Sequence, residues 1–485
     1  EEYVAGKSEA DGAGKIHINA ETPSATSDYT IYPIYDRKSP ISEPQHASKI
    51  RLNTIGSEKW VTAGQWVEYT IDVEKTGLYS LVFRYKQNEL SGMYVSRKLY
   101  INGELPFAEA ANLEFNYDDE FQTKPLNDGT NEFQFYFEAG KEYTLRFEVV
   151  LGNMAELISR IENSLVNLNQ IYLKIKQITG ATPDQYRDYN FIELIPDELN
   201  LLISESKNLY EFSARLEEIT GERGSNCATL NEIARIADRM GRDEDEIAKN
   251  LTNFKSNIGT LGTWIMNTKL QPLTLDYLLI QAADAEVPEA NASFWQSLWF
   301  EISSFFQSFF TDYNSLGASE QIDEENVVEV WIATSRDEAQ VMRELVDKDC
   351  PVTVNLKLVA GGTLLPATLA GNGPDVAYMG GSDPVNYAIR NAIQKLDGFD
   401  TFDEVCARFS DQAIVPFTLD VTDNPATEED EGAAAGVYPI TETQSFSMLF
   451  YRKDILSQLE LDIPETWEDV LAMIPVLQYN HMEVG

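Results

Sequence analysis

The spacing of apolar residues changes its period along this chain, and those changes constrain the fold more than any other feature. From Lys15 to Leu151 the pattern is short alternating runs, such as Trp66-Val67-Glu68-Tyr69-Thr70-Ile71-Asp72-Val73, broken by turn signals at Lys75-Thr76-Gly77 and Asn102-Gly103. A period of two sends successive side chains to opposite faces, so this stretch predicts an all-β sandwich. Trp66, Tyr69 and Ile71 then cannot share one face, which leaves room for aromatics on a ligand face. After Gly152 the period lengthens to about 3.6. Leu157, Ile158, Ile161, Leu165, Leu168, Ile171, Tyr172 and Ile175 line one side of a long helix. Further helical stretches follow at 197–206, 230–240 and 243–253, punctuated by Thr179-Gly180, Ile195-Pro196 and Thr220-Gly221, and the helical region ends near Leu316-Gly317. Beyond the polar Asp323 to Asn326 comes a third pattern: the apolar run 327–332, a helix over 336–347, and a second apolar run 352–359. Strand, helix, strand at this spacing is a βαβ unit with a parallel sheet and a right-handed crossover. Such sheets bind ligands beyond the carboxyl ends of their strands.

A chain of 485 residues outgrows a single core. The layout read from the pattern is a β-sandwich over 1–152, an all-α helical domain over 153–317, a linker over 318–326, and an α/β domain from 327 to 485. With 37 basic against 79 acidic residues the net charge is -42. That excludes sequence-independent attraction to nucleic acid or to anionic lipid. The acidic run Glu428-Glu429-Asp430-Glu431 reads as an exposed loop. Cys227, Cys350 and Cys406 are far apart, with neither a disulfide framework nor a zinc spacing, and each is expected as a buried thiol. No basic and apolar leader opens the chain at Glu1, so any secretory signal is expected to have been removed or never included. The aromatic stretch from Phe294 to Phe310 is interrupted by Gln296, Glu301 and Gln307, falls short of the roughly 20 apolar residues that span a bilayer, and is expected as a buried helix. Catalysis has little support. His17, His46 and His481 stand beside no readable nucleophile or metal array, and no Gly-rich loop with a Lys cradles phosphate. A pair of carboxylates doing glycosidase chemistry stays open among so many acids.

In order and spacing, Trp331-Ile332-Ala333-Thr334-Ser335-Arg336, Gly373-Pro374-Asp375-Val376-Ala377-Tyr378, Val437-Tyr438-Pro439-Ile440-Thr441-Glu442-Thr443, Leu449 to Leu456 and Pro464-Glu465-Thr466-Trp467 resemble the first half of a maltose-binding-protein type solute receptor. These are family 1 extracellular binding proteins of Gram-positive ABC importers, with a type II periplasmic-binding-protein-like fold. The resemblance implies a carbohydrate ligand handed to membrane permease subunits, an extracellular and lipid-anchored location, a monomer, and no catalysis. It also implies site residues. Tyr378 would stack on a sugar ring, Glu442 would bind hydroxyls, and Trp331, Thr334 and Arg336 would look into the cleft from the loop after the first strand. Other readings stand beside these: Tyr378 as an amphipathic core residue, Glu442 as a solvated carboxylate, Arg336 as a local cap or pair. About one hundred and sixty residues follow Val327, too few for two lobes, so the domain is expected to be incomplete.

The β region, through Ile18-Asn19-Ala20-Glu21, Trp66-Val67-Glu68-Tyr69 and Lys98-Leu99-Tyr100-Ile101-Asn102-Gly103-Glu104, resembles a jelly-roll carbohydrate-binding module. By that resemblance Glu21 would help to hold a structural calcium, though one carboxylate does not make a six-to-eight-oxygen site; no other cofactor is expected. Tyr32, Tyr35, Arg37 and Trp60 would face sugar, against the alternative that they are core. The helical region, through residues 180–189 and Leu261-Gly262-Thr263-Trp264, is similar to the insert of very large solute receptors, with a role in spacing or partner contact. Surface adhesion to polysaccharide without transport, and carbohydrate-active catalysis, are the competing functions.

Overall fold

A computed structural model describes residues 3–8, 14–36, 38–45, 51–180, 182–221, 223–282, 285–308, 315–318, 327–381, 383–420, 435–441 and 447–482. These fall into two compact units: one gathers the sandwich, the helical bundle and the residues from 454 onward, and the other is the α/β region up to 453.

The alternating runs fold as expected into two antiparallel sheets. In Trp66–Asp72, Val67, Tyr69 and Ile71 point inward and are buried, while Trp66, Thr70 and Asp72 face out. That strand pairs with Glu142–Val150 in a five-stranded sheet. Opposite lies a seven-stranded sheet whose longest strand is Gly77–Gln87. Aromatic side chains fill the gap between them, Phe83 meeting Phe147 edge to face at 5.1 Å and Tyr85 meeting Phe115 at 4.9 Å.

The sandwich does not end at 152. Its central strand Leu273–Ala282 comes from within the stretch read as helical, and it pairs with Gly77–Gln87, with Ile16–Asn19 and with Thr54–Ser57. The bundle is thus inserted before the last strand of the sandwich. Leu273, Leu275, Leu278 and Ile280 look apolar enough for a helix, but β-sheet pairing turns them into the sandwich interior. On the outer side of the same sheet, Arg84 is fully buried. It contacts the Asp276 carboxylate, donates to Ser42 and Ser39 at 2.8 Å each and to the Ala290 carbonyl at 2.8 Å, and lies over the Phe121 ring. Burial holds Asp276 above the usual carboxylate range in spite of that cation.

The bundle consists of Ala155–Thr179, Pro196–Thr220, Ser225–Arg242 and Asp245–Lys269. Gly180 and Gly221, both at positive φ, close the first two of these helices, and Pro196 opens the second. The apolar stripe read from the sequence is its core: Leu157, Ile158, Ile161, Leu168, Ile171 and Ile175 are buried against Leu209, Phe212 and Phe254. The last helix, Trp467–Tyr479, is capped by Thr466 and Asp469 and packs Leu477, with Met482 from the residues that follow it, against Leu173 of the bundle.

In the α/β region the strand order is Ser315–Ala318, Thr353–Leu358, Val327–Ile332, Val376–Ala377; the last three are parallel and the first is antiparallel at the edge. The sheet therefore begins before Val327, inside the stretches read as helical and linker. Helix Arg336–Asp349 crosses between the two central strands and packs Ala339, with Met342 and Val346, on Ile332, Val354 and Leu356.

Two further expectations are corrected. The aromatic helix is described over Phe294–Ser308, and its large side chains, the half-buried Phe300 apart, are exposed rather than buried; Phe309 and Phe310 lie outside the described residues. Of the cysteines only Cys227 is buried; Cys350, which follows the Arg336 helix, is exposed, and Cys406 is half-buried. The acidic run 428–431 lies outside the described residues.

Candidate functional site

The strand order of the α/β sheet locates its crevice. The chain goes from Val327–Ile332 to one neighbour, Thr353–Leu358, and then across to the other, Val376–Ala377, so the connections after the two strands diverge between Val327–Ile332 and Val376–Ala377. That switch point is where loops leave room for a ligand at the carboxyl ends of the strands. Loops 333–335 and 378–381 leave the two strands that bound it, and loop 359–363 leaves the next strand along the same edge of the sheet. Gly362 and Gly381 adopt positive φ, which fits the tight backbone paths these loops require.

Tyr378 sits at this edge. Its backbone N–H donates to the Trp331 carbonyl at 2.9 Å, which holds the two strand ends side by side, and its side chain is 43% exposed. The exposure argues against a core role for it. The Gly373-Pro374-Asp375 turn that delivers it is fixed by Asp375, whose carboxylate accepts from the Glu329 N–H at 2.8 Å.

Thr334 and Ser335 lie at the same edge. Ser335 caps the Arg336 helix by accepting from the Glu338 N–H at 3.2 Å, and the Glu338 carboxylate accepts in return from Ser335 N–H and from the Thr334 hydroxyl. The capping contacts hold Glu338 below its usual range, with the Thr334 hydroxyl the largest cause. Arg336 is the first residue of that helix and is half-buried.

Trp331 is not in the loop after the strand. It is within the strand, and its indole N–H donates to Glu329 Oε1 at 2.6 Å. Glu329 Oε2 in turn accepts from Lys357 at 2.6 Å. The Lys357 ammonium, aided by the Trp331 indole, holds the Glu329 carboxyl below its usual range. Trp331, Glu329 and Lys357 thus form one polar array on the sheet face opposite the Arg336 helix. Glu329 and Lys357 were missed; Lys357 faces Trp331 across the parallel register and lies diagonal to Glu329, a pairing that only the register of the two strands reveals. Glu442 lies outside the described residues.

The sandwich candidates divide. Trp60 is 1% exposed, stacks under the Arg97 guanidinium at 4.1 Å and donates to the Gln65 carbonyl, so it is core and not a sugar platform. It is there because Arg97 needs it. Arg97 is fully buried between the sheets, donates to the carbonyls of Ser96, Trp60 and Gln271, and is pushed down to about 9 by burial. Tyr32 and Tyr35 flank the short strand Pro33–Ile34 and are exposed, as is Tyr29, and Lys59 lies over the Tyr32 ring at 5.2 Å. Arg37 lies outside the described residues. Glu21 is buried just after the first strand, and among the described residues no group of three or more His, Cys, Asp or Glu side chains is placed to hold a metal ion. The calcium expectation therefore rests on one carboxylate. His17 packs edge to face on Tyr277 at 4.9 Å, and His481 lies beside Gly180.

Residues 156–268 match the family model for the bacterial solute-binding protein 4-helix bundle domain, and residues 333–481 match that for the bacterial extracellular solute-binding protein. The helical and α/β regions are thus similar to those of bacterial extracellular solute-binding proteins, behind a strand-rich sandwich that neither match covers. No curated protein matches the chain. Among solved structures it is similar to a Paenibacillus sp. cycloisomaltooligosaccharide glucanotransferase complexed with cycloisomaltoheptaose, at 19% identity over 29% of this chain and 17% of that one, with a TM-score of 0.20. It is also similar to a family 35 carbohydrate-binding module from Clostridium thermocellum (11% identity, 30% of this chain, 85% of that one, TM-score 0.17). A module of the same family from Paenibacillus barcinonensis compares similarly, with 17% identity over 28% and 88% of the two chains and a TM-score of 0.19.

Proposed function

We propose that this chain is the extracellular solute-binding component of an ABC importer, that its solute is a carbohydrate, and that it hands that solute to permease subunits without catalysis. The observation that carries the reading is the match of residues 333–481 to bacterial extracellular solute-binding proteins, which begins directly after the strand Val327–Ile332 that joins the parallel sheet. Support for a sugar comes from the chemistry of that edge. Tyr378 offers an exposed aromatic face, and Thr334 with the capped helix start offers hydroxyl and amide groups within one crevice. The protein acts outside the cell as a monomer held at the surface by lipid on its natural precursor.

Calorimetry with a panel of oligosaccharides tests this. One of them is expected to bind, and Tyr378→Ala and Thr334→Ala are each expected to weaken binding by about 1 to 3 kcal/mol, Tyr378→Ala without shifting thermal unfolding. Unchanged affinity in both variants refutes the site; sugar release from the panel refutes the non-catalytic reading.

A second reading, adhesion to polysaccharide through the sandwich, is favoured by the exposed Tyr29, Tyr32 and Tyr35. It predicts binding that survives both variants and is lost in Tyr32→Ala.

A further inference from the structure

The helix Phe294–Ser308 is turned inside out. An amphipathic helix on a globular protein buries its apolar arc and shows its polar one. Here Phe294, Trp295, Leu298, Trp299, Ile302, Phe305 and Phe306 fall within an arc of roughly 140° at 100° per residue, and all are exposed, Phe294, Trp295 and Trp299 at 72%, 74% and 73%. The half-buried positions are Ser297, Phe300, Ser303 and Ser304, on the other side. Seven large apolar side chains on one exposed arc form a patch that marks an interaction surface.

We propose that this arc lies in the interface of an uncharged lipid surface, so that the helix rests parallel to the membrane plane. Three observations select that occupant. As described, the helix spans about 22 Å at 1.5 Å per residue, short of the hydrocarbon core of roughly 30 Å, and among the described residues no helix is long and apolar enough to cross a membrane. Tryptophan and phenylalanine are the residues that insert at the headgroup boundary. Charge then decides between occupants. Glu301 is the one charged residue from Phe294 to Ser308, and the side opposite the arc is otherwise serine, glutamine and the half-buried Phe300. A helix without basic residues gains nothing from anionic headgroups, and a chain of net charge -42 is repelled by them. The same charge opposes pairing with a second copy. What remains is insertion driven by apolar burial alone, which neutral headgroups permit.

Flotation of the full chain with large vesicles of unsaturated phosphatidylcholine tests the proposal. The chain is expected to float with these vesicles, and to float at least tenfold less with Trp295→Ser, Trp299→Ser and Phe305→Ser combined. These are exposed positions, so the thermal unfolding of the variant is expected to match the parent. Replacing a third of the lipid with phosphatidylglycerol is expected to weaken binding. The proposal is overturned if the parent stays in the aqueous fraction, if the triple variant floats equally, if phosphatidylglycerol strengthens binding, or if light scattering shows a dimer that the three substitutions dissolve.

Discussion

The sandwich and the α/β region are both built on a sheet, yet they close their cores on different scales. In the sandwich, Phe83, Phe115, Phe135, Phe137 and Phe147 are fully buried between two sheets, and the strand Leu273–Ala282 returns after the whole bundle to complete one of them. In the α/β region, among the described residues, the cluster between the Arg336 helix and the sheet buries Ile332, Ala339, Val354 and Leu356, and its loops open at one edge. The difference teaches where stability and recognition sit. A large interlocked core supports the first unit, whereas a slim scaffold that positions exposed loops suits binding.

The strongest break of this comparison is to remove the returning strand. A chain ending at Leu270 loses Leu273, Leu275, Leu278 and Ile280 from the sandwich interior. At about 1.5 to 3 kcal/mol per buried apolar side chain, that loss rivals the roughly 5 to 15 kcal/mol of a typical domain. Near-ultraviolet circular dichroism of the sandwich aromatics is expected to collapse, although residues 1–152 are intact. Retention of the native spectrum would mean the sandwich closes without the strand.

Next in size, Phe83→Ala is expected to cost about 3 to 5 kcal/mol in chemical denaturation of the first unit. Leu356→Ala is expected to cost about 2 to 5 kcal/mol in the α/β region, read as faster hydrogen exchange in Val327–Ile332. Because the two residues belong to separate clusters, neither substitution should move the other unit's transition, and coupled transitions would merge what the comparison separates.

The smallest effect concerns Glu329. Its folded pKa is depressed by Lys357, so the stability it contributes is present above its unfolded value of about 4.3 and is lost as pH falls through the lower folded value. Partly exposed, the pair is worth no more than about 1 kcal/mol. Glu329→Gln should therefore destabilise the α/β region slightly at pH 7 and not at all at a pH below the folded pKa. An equal effect at both pH values would remove the ion pair from the account.

Much of this architecture was legible because period is a local property. The alternation in Trp66–Asp72 marked a sandwich strand whose Trp66, Tyr69 and Ile71 cannot share one face, and the 3.6 stripe from Leu157 to Ile175 marked the bundle core. The return of Leu273–Ala282 was not legible, since pairing with Gly77–Gln87 is a long-range fact and an apolar run of ten residues reads equally as helix. Trp60 was misplaced for a related reason: its partner Arg97 is remote in sequence, and an arginine buried without a carboxylate leaves no local trace. At the α/β edge, Tyr378 followed from its turn and strand, but the Glu329, Lys357 and Trp331 array needed the parallel register of two strands. The aromatic stretch from Phe294 was legible as a helix; that its apolar arc faces solvent was not.

Hydrogen exchange with and without a bound oligosaccharide tests the central claim most directly, because it reads where the ligand sits on the whole chain. The account predicts new protection at 333–336, 359–363 and 378–381, with the loop from Tyr29 to Tyr35 unchanged. Protection confined to that tyrosine loop, with the α/β edge exchanging as before, would contradict it.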